Sequence, residues 1–282
     1  MLMRTLLLST LAAMPLAALA ESNSPWLPIP GQVLLGVNHT EQSGTDAYIG
    51  SKQLPLSAIT GGGASNYKRS TTAVRVDYGL SDAFSLDAAV TFGTVKVGAA
   101  DKDSGRGDSV LGLRYRVLDE YEDPALPTLT LRAAAILKGS YEGARLAAIG
   151  KGSNGSEFSV VLGKQLNPIF SLWAEAGLQK RSDNVPTAQF YEVGARARFS
   201  PQWSASLGYI SKKFDGNLDI GGPGFSPARF QQVQEERGVV KLGLGYAFAS
   251  NQGVALNLAK TNSGRNTVKD DRAAGLSYTV AF

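Results

Sequence analysis

From Arg272 to Phe282 the chain alternates strictly. Leu276, Tyr278, Val280 and Phe282 share one parity, and Gly275, Ser277, Thr279 and Ala281 share the other. Successive side chains of a strand point to opposite faces, so this segment predicts a strand with one large apolar face and one small or polar face. A strand this two-sided that ends on an aromatic residue is how a bacterial outer-membrane β-barrel closes. Tyr278, Val280 and Phe282 are then expected toward lipid and the small residues toward the lumen.

The same period recurs along the chain in segments of roughly ten residues separated by turn residues. The predicted strands are Gln32 to His39, Thr71 to Gly79, Phe84 to Val95, Asp108 to Leu118, Thr128 to Lys138, Glu157 to Lys164, Ile169 to Lys180, Gln189 to Phe199, Trp203 to Lys212, Arg237 to Phe248, Gly253 to Lys260 and Arg272 to Phe282. They number about twelve, an even count as such barrels require. Short connections hold Leu80 to Ala83, Asp119 to Pro127, Gln165 to Pro168, Ser200 to Gln202 and Ala249 to Gln252, rich in the Ser, Asp, Asn and Pro of tight turns. Long ones are centred on Glu41 to Arg69, Gly98 to Gly107, Gly139 to Ser156, Arg181 to Ala188, Phe214 to Glu236 and Thr261 to Asp271. With short turns in the periplasm and long loops outside, both termini fall on the periplasmic side.

At the amino end, Arg4 precedes an apolar stretch from Leu6 to Leu16, followed by the small pair Ala18 and Ala20. This is the layout of a secretory signal peptide over residues 1–20. It is short of the ~20 apolar residues a spanning helix needs. The expected organisation is thus a signal peptide (1–20), a short periplasmic segment (21–30) and an outer-membrane barrel (31–282).

Composition excludes several classes. With no cysteine, neither a disulfide framework nor a thiolate metal site is available. The formal net charge of +4 includes Arg4, and no basic run is interleaved with aromatic residues, so nucleic acid is not an expected partner. No cluster of His, Asp and Glu suggests a metal site, no cofactor motif appears, and Gly61 to Gly63 lack the Lys-Ser or Lys-Thr of a phosphate loop. A soluble all-β domain accounts for the alternation. It does not account for the unequal loops, nor for Tyr78, Phe84, Phe170, Phe199, Trp203, Tyr246 and Phe248 gathering beside the short turns as an interfacial girdle does.

Parity assigns the lumen. If Val74, Val76 and Tyr78 face lipid, Arg75 and Asp77 face inward, and the wall residues Leu113, Tyr115 and Val117 place Arg114 and Arg116 inside. Asp87, Arg132, Lys138, Glu175, Glu192, Arg196, Arg198 and Lys241 follow. These charges suit either a structural network, with Arg75 paired to Asp77 and Glu192 to Arg196, or a lining that attracts anions. The basic excess gives the expectation of weak anion preference. Two long loops carry apolar residues beside glycines: Leu54, Pro55, Leu56 and Ile59 before Gly61 to Gly63, and Phe225 and Phe230 among Gly221, Gly222, Gly224 and Pro227. Both are long enough to act as a lid or constriction over the pore mouth, with a mobile surface loop as the alternative.

An enzyme acting on envelope lipids is the alternative of a different class, and a structural or adhesive barrel a third. The single histidine, His39, sits between Asn38 and Thr40 at the outer end of the first strand and reads as a polar rim residue. Expected partners are outer-membrane lipids, the barrel assembly machinery and a small-molecule permeant; the oligomeric state is left open.

Three stretches carry a family resemblance: Trp26, Leu27, Pro28, Pro30 and Gly31; Tyr78 to Ala83 around Gly79, Leu80, Ser81 and Asp82; and Gly107, Asp108, Leu111, Gly112, Arg114, Tyr115 and Arg116. With the terminal strand they resemble outer-membrane proteins associated with the meta-cleavage pathway of phenol degradation, a group of transporter-like barrels likened to the long-chain fatty-acid transporter. The resemblance implies passage or uptake of small organic compounds, hydrophobic or aromatic ones among them. That transporter carries a sizeable N-terminal plug, whereas here only Glu21 to Pro30 precede the first strand, enough to tuck Trp26 and Leu27 into the periplasmic mouth.

Overall fold

The computed structural model describes residues 24–282 except 100, 142, 144 and 147; the expected signal peptide lies outside the described residues. Twelve long strands pair with their neighbours into a closed antiparallel ring: β1 (Val33–Gly44), β4 (Tyr67–Gly79), β5 (Phe84–Val97), β6 (Asp101–Leu118), β7 (Thr128–Leu137), β8 (Gly155–Gln165), β9 (Phe170–Arg181), β10 (Ala188–Arg198), β11 (Trp203–Phe214), β12 (Glu236–Ala249), β13 (Gln252–Arg265) and β15 (Arg272–Ala281). The ring closes where β1 pairs with β15, Leu34 opposite Ala281 and Ser43 opposite Arg272. Closure leaves no edge strand, the condition for a sheet that faces lipid.

The alternation decides which face is which. Along β8, Phe158, Val160 and Leu162 are 61%, 42% and 40% exposed, while Ser159 and Val161 between them are 6% and 0% exposed. The outer wall is therefore a continuous apolar surface far larger than a soluble monomer carries. Aromatic residues ring its short-turn end, Phe84 stacked on Tyr115 at 4.8 Å and Trp203 against Tyr246 at 4.7 Å. Phe282 and Leu276 are exposed on this wall, but Val280 on the same face is only 5% exposed, flanked in register by Leu35 and Gln252.

Three expectations are corrected. The stretch Gly98 to Gly107 is mostly strand, since the β5–β6 ladder runs through Thr94 opposite Ser104 to Val97 opposite Asp101, with Gly98 and Ala99 in the turn. It lacks apolar alternation, yet ladder hydrogen bonds need none. Lys138 lies one residue past the end of β7 and is exposed, so the ladder does not assign it a face. The first long loop is also structured: β2 (Asp46–Ile49) pairs with β3 (Lys52–Pro55) and with β14 (Val268–Lys269), and one helical turn covers Leu56–Ile59.

That small sheet folds inward. Ala47, Leu56 and Val268 pack with Tyr67 and Val95, which share the lumen parity of β4 and β5, and Ile59, Val97, Leu146 and Ile149 lie against them. The loops thus build an apolar core inside the long-loop mouth.

Candidate functional site: the lumen and its two covers

Twelve strands about 4.8 Å apart and tilted by about 40° close a ring roughly 24 Å across between backbones. Side chains from both walls leave on the order of 12 Å, too narrow for a wide aqueous pore and wide enough for a small molecule or one extended chain.

One wall of this space carries an ion cluster that the register explains. Asp77 on β4 stands directly opposite Asp87 on β5, an arrangement of like charges that requires cations. Arg75 grips Asp77 with two nitrogens at 2.9 and 3.0 Å. Arg114 bonds both Asp77 and Asp87, the latter at 3.1 Å, and Arg132 bonds Asp87 at 2.7 Å and also Glu157. These three arginines face Asp77, Asp87 and Glu157, and the charge of Glu175 also reaches them, so this cluster carries no cationic excess. Gly112, opposite Asp87 on β6, makes room for it: a Cβ there would lie 2.5 Å from the Asp87 Oδ1.

The remaining predicted residues fall in two places. Glu175 and Glu192 are buried and directly opposite one another on β9 and β10, and Lys241 on β12 donates to Glu192 at 2.8 Å. The Arg196 guanidinium lies 5.7 Å from the centre of the Trp173 ring, which itself lies flat on Gly194. Arg116 pairs with Asp119 at 3.0 Å at the short-turn rim, and Arg198 ends β10 at the same rim. Trp173, Glu157 and Lys212 were missed from the sequence, although parity with Phe158 and Leu178 places Glu157 and Trp173 inside. Lys212 donates to Gln179 at 2.6 Å and sits near the rings of Phe214 and Phe190, at 5.3 and 6.0 Å.

The short-turn mouth is crossed by the amino-terminal segment. Pro28 and Ile29 carbonyls lie against Gly79 of β4, while Pro25 and Trp26 lie against Gly163 of β8, four strand steps round a ring of twelve. Trp26 Nε1 donates to Glu120 at 2.7 Å, Thr130 Oγ1 to the Pro25 carbonyl at 2.7 Å, and Arg114 to the Ser24 carbonyl at 3.4 Å. Ser24 is 5% exposed. Among the described residues, the mouth is therefore covered by the few residues of segment 24–30.

At the opposite mouth the loops are tied to one another. Asp219 accepts from Asn266 at 2.8 Å and from Arg265 at 2.9 and 2.6 Å, and these donors hold its carboxyl below the usual carboxylate range. Burial alone would raise Glu235, but Lys151, Arg237 and Lys212 together outweigh it and hold this carboxylate down as well.

A closed twelve-stranded ring with an apolar outer wall and a polar, ion-paired interior defines an outer-membrane-type β-barrel. The chain belongs to the family described as "Putative MetA-pathway of phenol degradation", which it matches over residues 56–278. Similar solved structures include an outer membrane channel from Pseudomonas putida F1, at 16% identity over 93% of this chain and 99% of that one, with a TM-score of 0.72. The translocator domain of the autotransporter NalP from Neisseria meningitidis is similar at 12% identity over 93% and 90% of the two chains, with a TM-score of 0.52. The KdgM porin in complex with disordered oligogalacturonate is similar at 8% identity over 88% and 99%, with a TM-score of 0.50. At these identities they establish the fold. Comparison with curated proteins gives no match.

Proposed function

We propose that this protein is a channel of the bacterial outer membrane that passes small organic molecules and that both of its mouths carry covers. In this reading residues 1–20 are removed on export, the short turns and both termini face the periplasm, and the long loops face outward. The observation that carries it is the pair of covers: segment 24–30 and the loop core each occupy a mouth through a few separable anchors, over a lumen lined by polar side chains. A purely structural barrel has no use for removable covers. The family's description concerns phenol degradation, which motivates phenolic and other small aromatic compounds as the first permeants to test.

The weak anion preference of the path narrows to a few groups, because Arg75, Arg114 and Arg132 are matched by Asp77, Asp87 and Glu157. Lys212, which bonds a neutral amide and faces aromatic rings, is the leading one. His39 does not favour an enzyme: its ring is on the outer wall, bonded to Thr72 at 2.9 Å and Glu41 at 3.2 Å, away from the lumen. Swelling of liposomes that contain the purified barrel tests the proposal. Small phenols and sugars should enter at rates that fall steeply with size, and impermeability to all of them from a folded barrel without its plug would overturn it.

A further inference from the structure

The outer wall of β4, β5 and β6 carries a feature that transport does not use. In direct cross-strand register, Lys68 stands opposite Lys96 and Lys96 opposite Lys102, all three exposed. Like charges placed directly opposite destabilise a sheet, and adjacent strands hold them only about 5 Å apart. No carboxylate forms an ion pair with any of the three among the described residues. Asp103 of the same hairpin has the opposite parity, beside Val95 on the lumen face. One register row below lie three hydroxyls, Ser70 opposite Thr94 and Thr94 opposite Ser104. Arg272, also exposed, extends the cationic row round the wall through Ser43 of β1.

The height of the row identifies what it meets. The outward apolar residues of β5 run from Phe84 to Phe92, about 27 Å along the strand and roughly 21 Å across the membrane at a tilt of about 40°. Lys96 is four residues further on, about 10 Å higher, at the level of lipid headgroups on the long-loop side. A row of ammonium groups above a row of hydroxyls is a donor grid for phosphate.

We infer that the Lys68–Lys96–Lys102 row binds the phosphates of the phosphorylated saccharide lipid of the outer leaflet, lipopolysaccharide, and fixes the barrel's orientation and depth. The inference rests on the long-loop end facing outward, but not on transport. Lipid headgroup phosphate offsets the repulsion within the row, which explains why three lysines share one register line.

The test is native mass spectrometry of the folded protein in detergent with bis-phosphorylated lipid A, dephosphorylated lipid A or inorganic phosphate. The protein should retain the bis-phosphorylated lipid, and Lys68→Gln/Lys96→Gln/Lys102→Gln together should weaken retention roughly a hundredfold, at about fivefold per lysine. Lys180→Gln, an exposed lysine on the far wall, should leave it unchanged. Equal retention by the triple variant, or of the dephosphorylated lipid, would overturn the site. Displacement of lipid by inorganic phosphate at equal concentration would show a free-anion site and overturn the lipid assignment. No conductance enters the readout, so the result is independent of whether the barrel transports.

Discussion

Gly163→Ala is the sharpest perturbation of the plug, because it acts on the lumen wall without touching the segment itself. A Cβ at this position would lie 2.3 Å from Pro25 Cγ and 3.0 Å from Trp26 Cζ2, so the segment must retreat by about 1 Å or more to reach ordinary contact distance. That retreat breaks alignment of two 2.7 Å bonds, Trp26 to Glu120 and Thr130 to the Pro25 carbonyl. A bond to a charged group contributes about 1.5–3 kcal/mol and a neutral one about 1 kcal/mol. Their joint loss of about 3 kcal/mol raises the released fraction by roughly two orders of magnitude. The chain has no cysteine, so Ser24→Cys supplies a single probe at a buried position of the plug. Its labelling by a water-soluble maleimide in folded protein should accelerate by up to a hundredfold in the Gly163→Ala background, with a parallel rise in channel open probability. Unchanged labelling would refute the claim that these contacts hold the segment in the mouth. Faster labelling with unchanged open probability would show that the segment is not on the path.

Gly112→Ala pushes a methyl group against Asp87 and should cost about 3–5 kcal/mol, comparable to breaking a buried ion pair; a lower temperature for the shift between unboiled and boiled gel mobility is the readout. Asp219 is held below its ordinary range, so its contribution to docking the outer loop is full above about pH 4 and is lost as pH falls through the lower, docked value. Conductance should therefore rise on acidification below about pH 4, and Asp219→Asn should raise it at neutral pH and flatten that rise. Lys212→Gln should shift the zero-current potential in a salt gradient toward cation preference, and a fixed potential would take Lys212 off the path. Phe282→Ser, at a 73% exposed position, should lower the amount assembled in the membrane several-fold while leaving the melting of folded barrels within about 0.5 kcal/mol; normal membrane levels would show that the terminal aromatic carries no assembly signal.

The wall of this barrel was legible because one physical rule, opposite faces for successive residues, acts on every spanning strand. Val74, Val76 and Tyr78 against Arg75 and Asp77 is that rule read directly. Where the membrane ends the rule has no apolar term, so the outer part of β6, Asp101 to Gly107, polar on both faces, reads as loop, while β5 is legible as far as Val95. The bulge between Val90 and Phe92 also resets parity, and only the ladder shows that Arg106 and Lys102 face outward with Phe92. Partners across strands were less accessible than faces. Arg75 with Asp77 is local, two residues apart on one face, whereas the joining of Asp87 to both Arg114 and Arg132 depends on register across three strands. Lys241 is a cation on Glu192 that sequence alone did not pair with it. The plug was visible as a Pro-rich stub able to tuck Trp26 and Leu27 into the mouth, but its anchors were not, because Glu120, Thr130 and Gly163 belong to distant strands and turns.

The most direct test of the channel claim is planar-bilayer recording from the folded barrel with residues 21–29 deleted, beside the intact mature chain. The account predicts discrete conductance steps from the deletion variant, and rare openings of similar size from the intact chain. A correctly folded deletion variant that stays silent across the voltage range, and stays silent when Asp219→Asn also loosens the outer loops, would contradict it, since the lumen would then be closed by its own side chains and not by its covers.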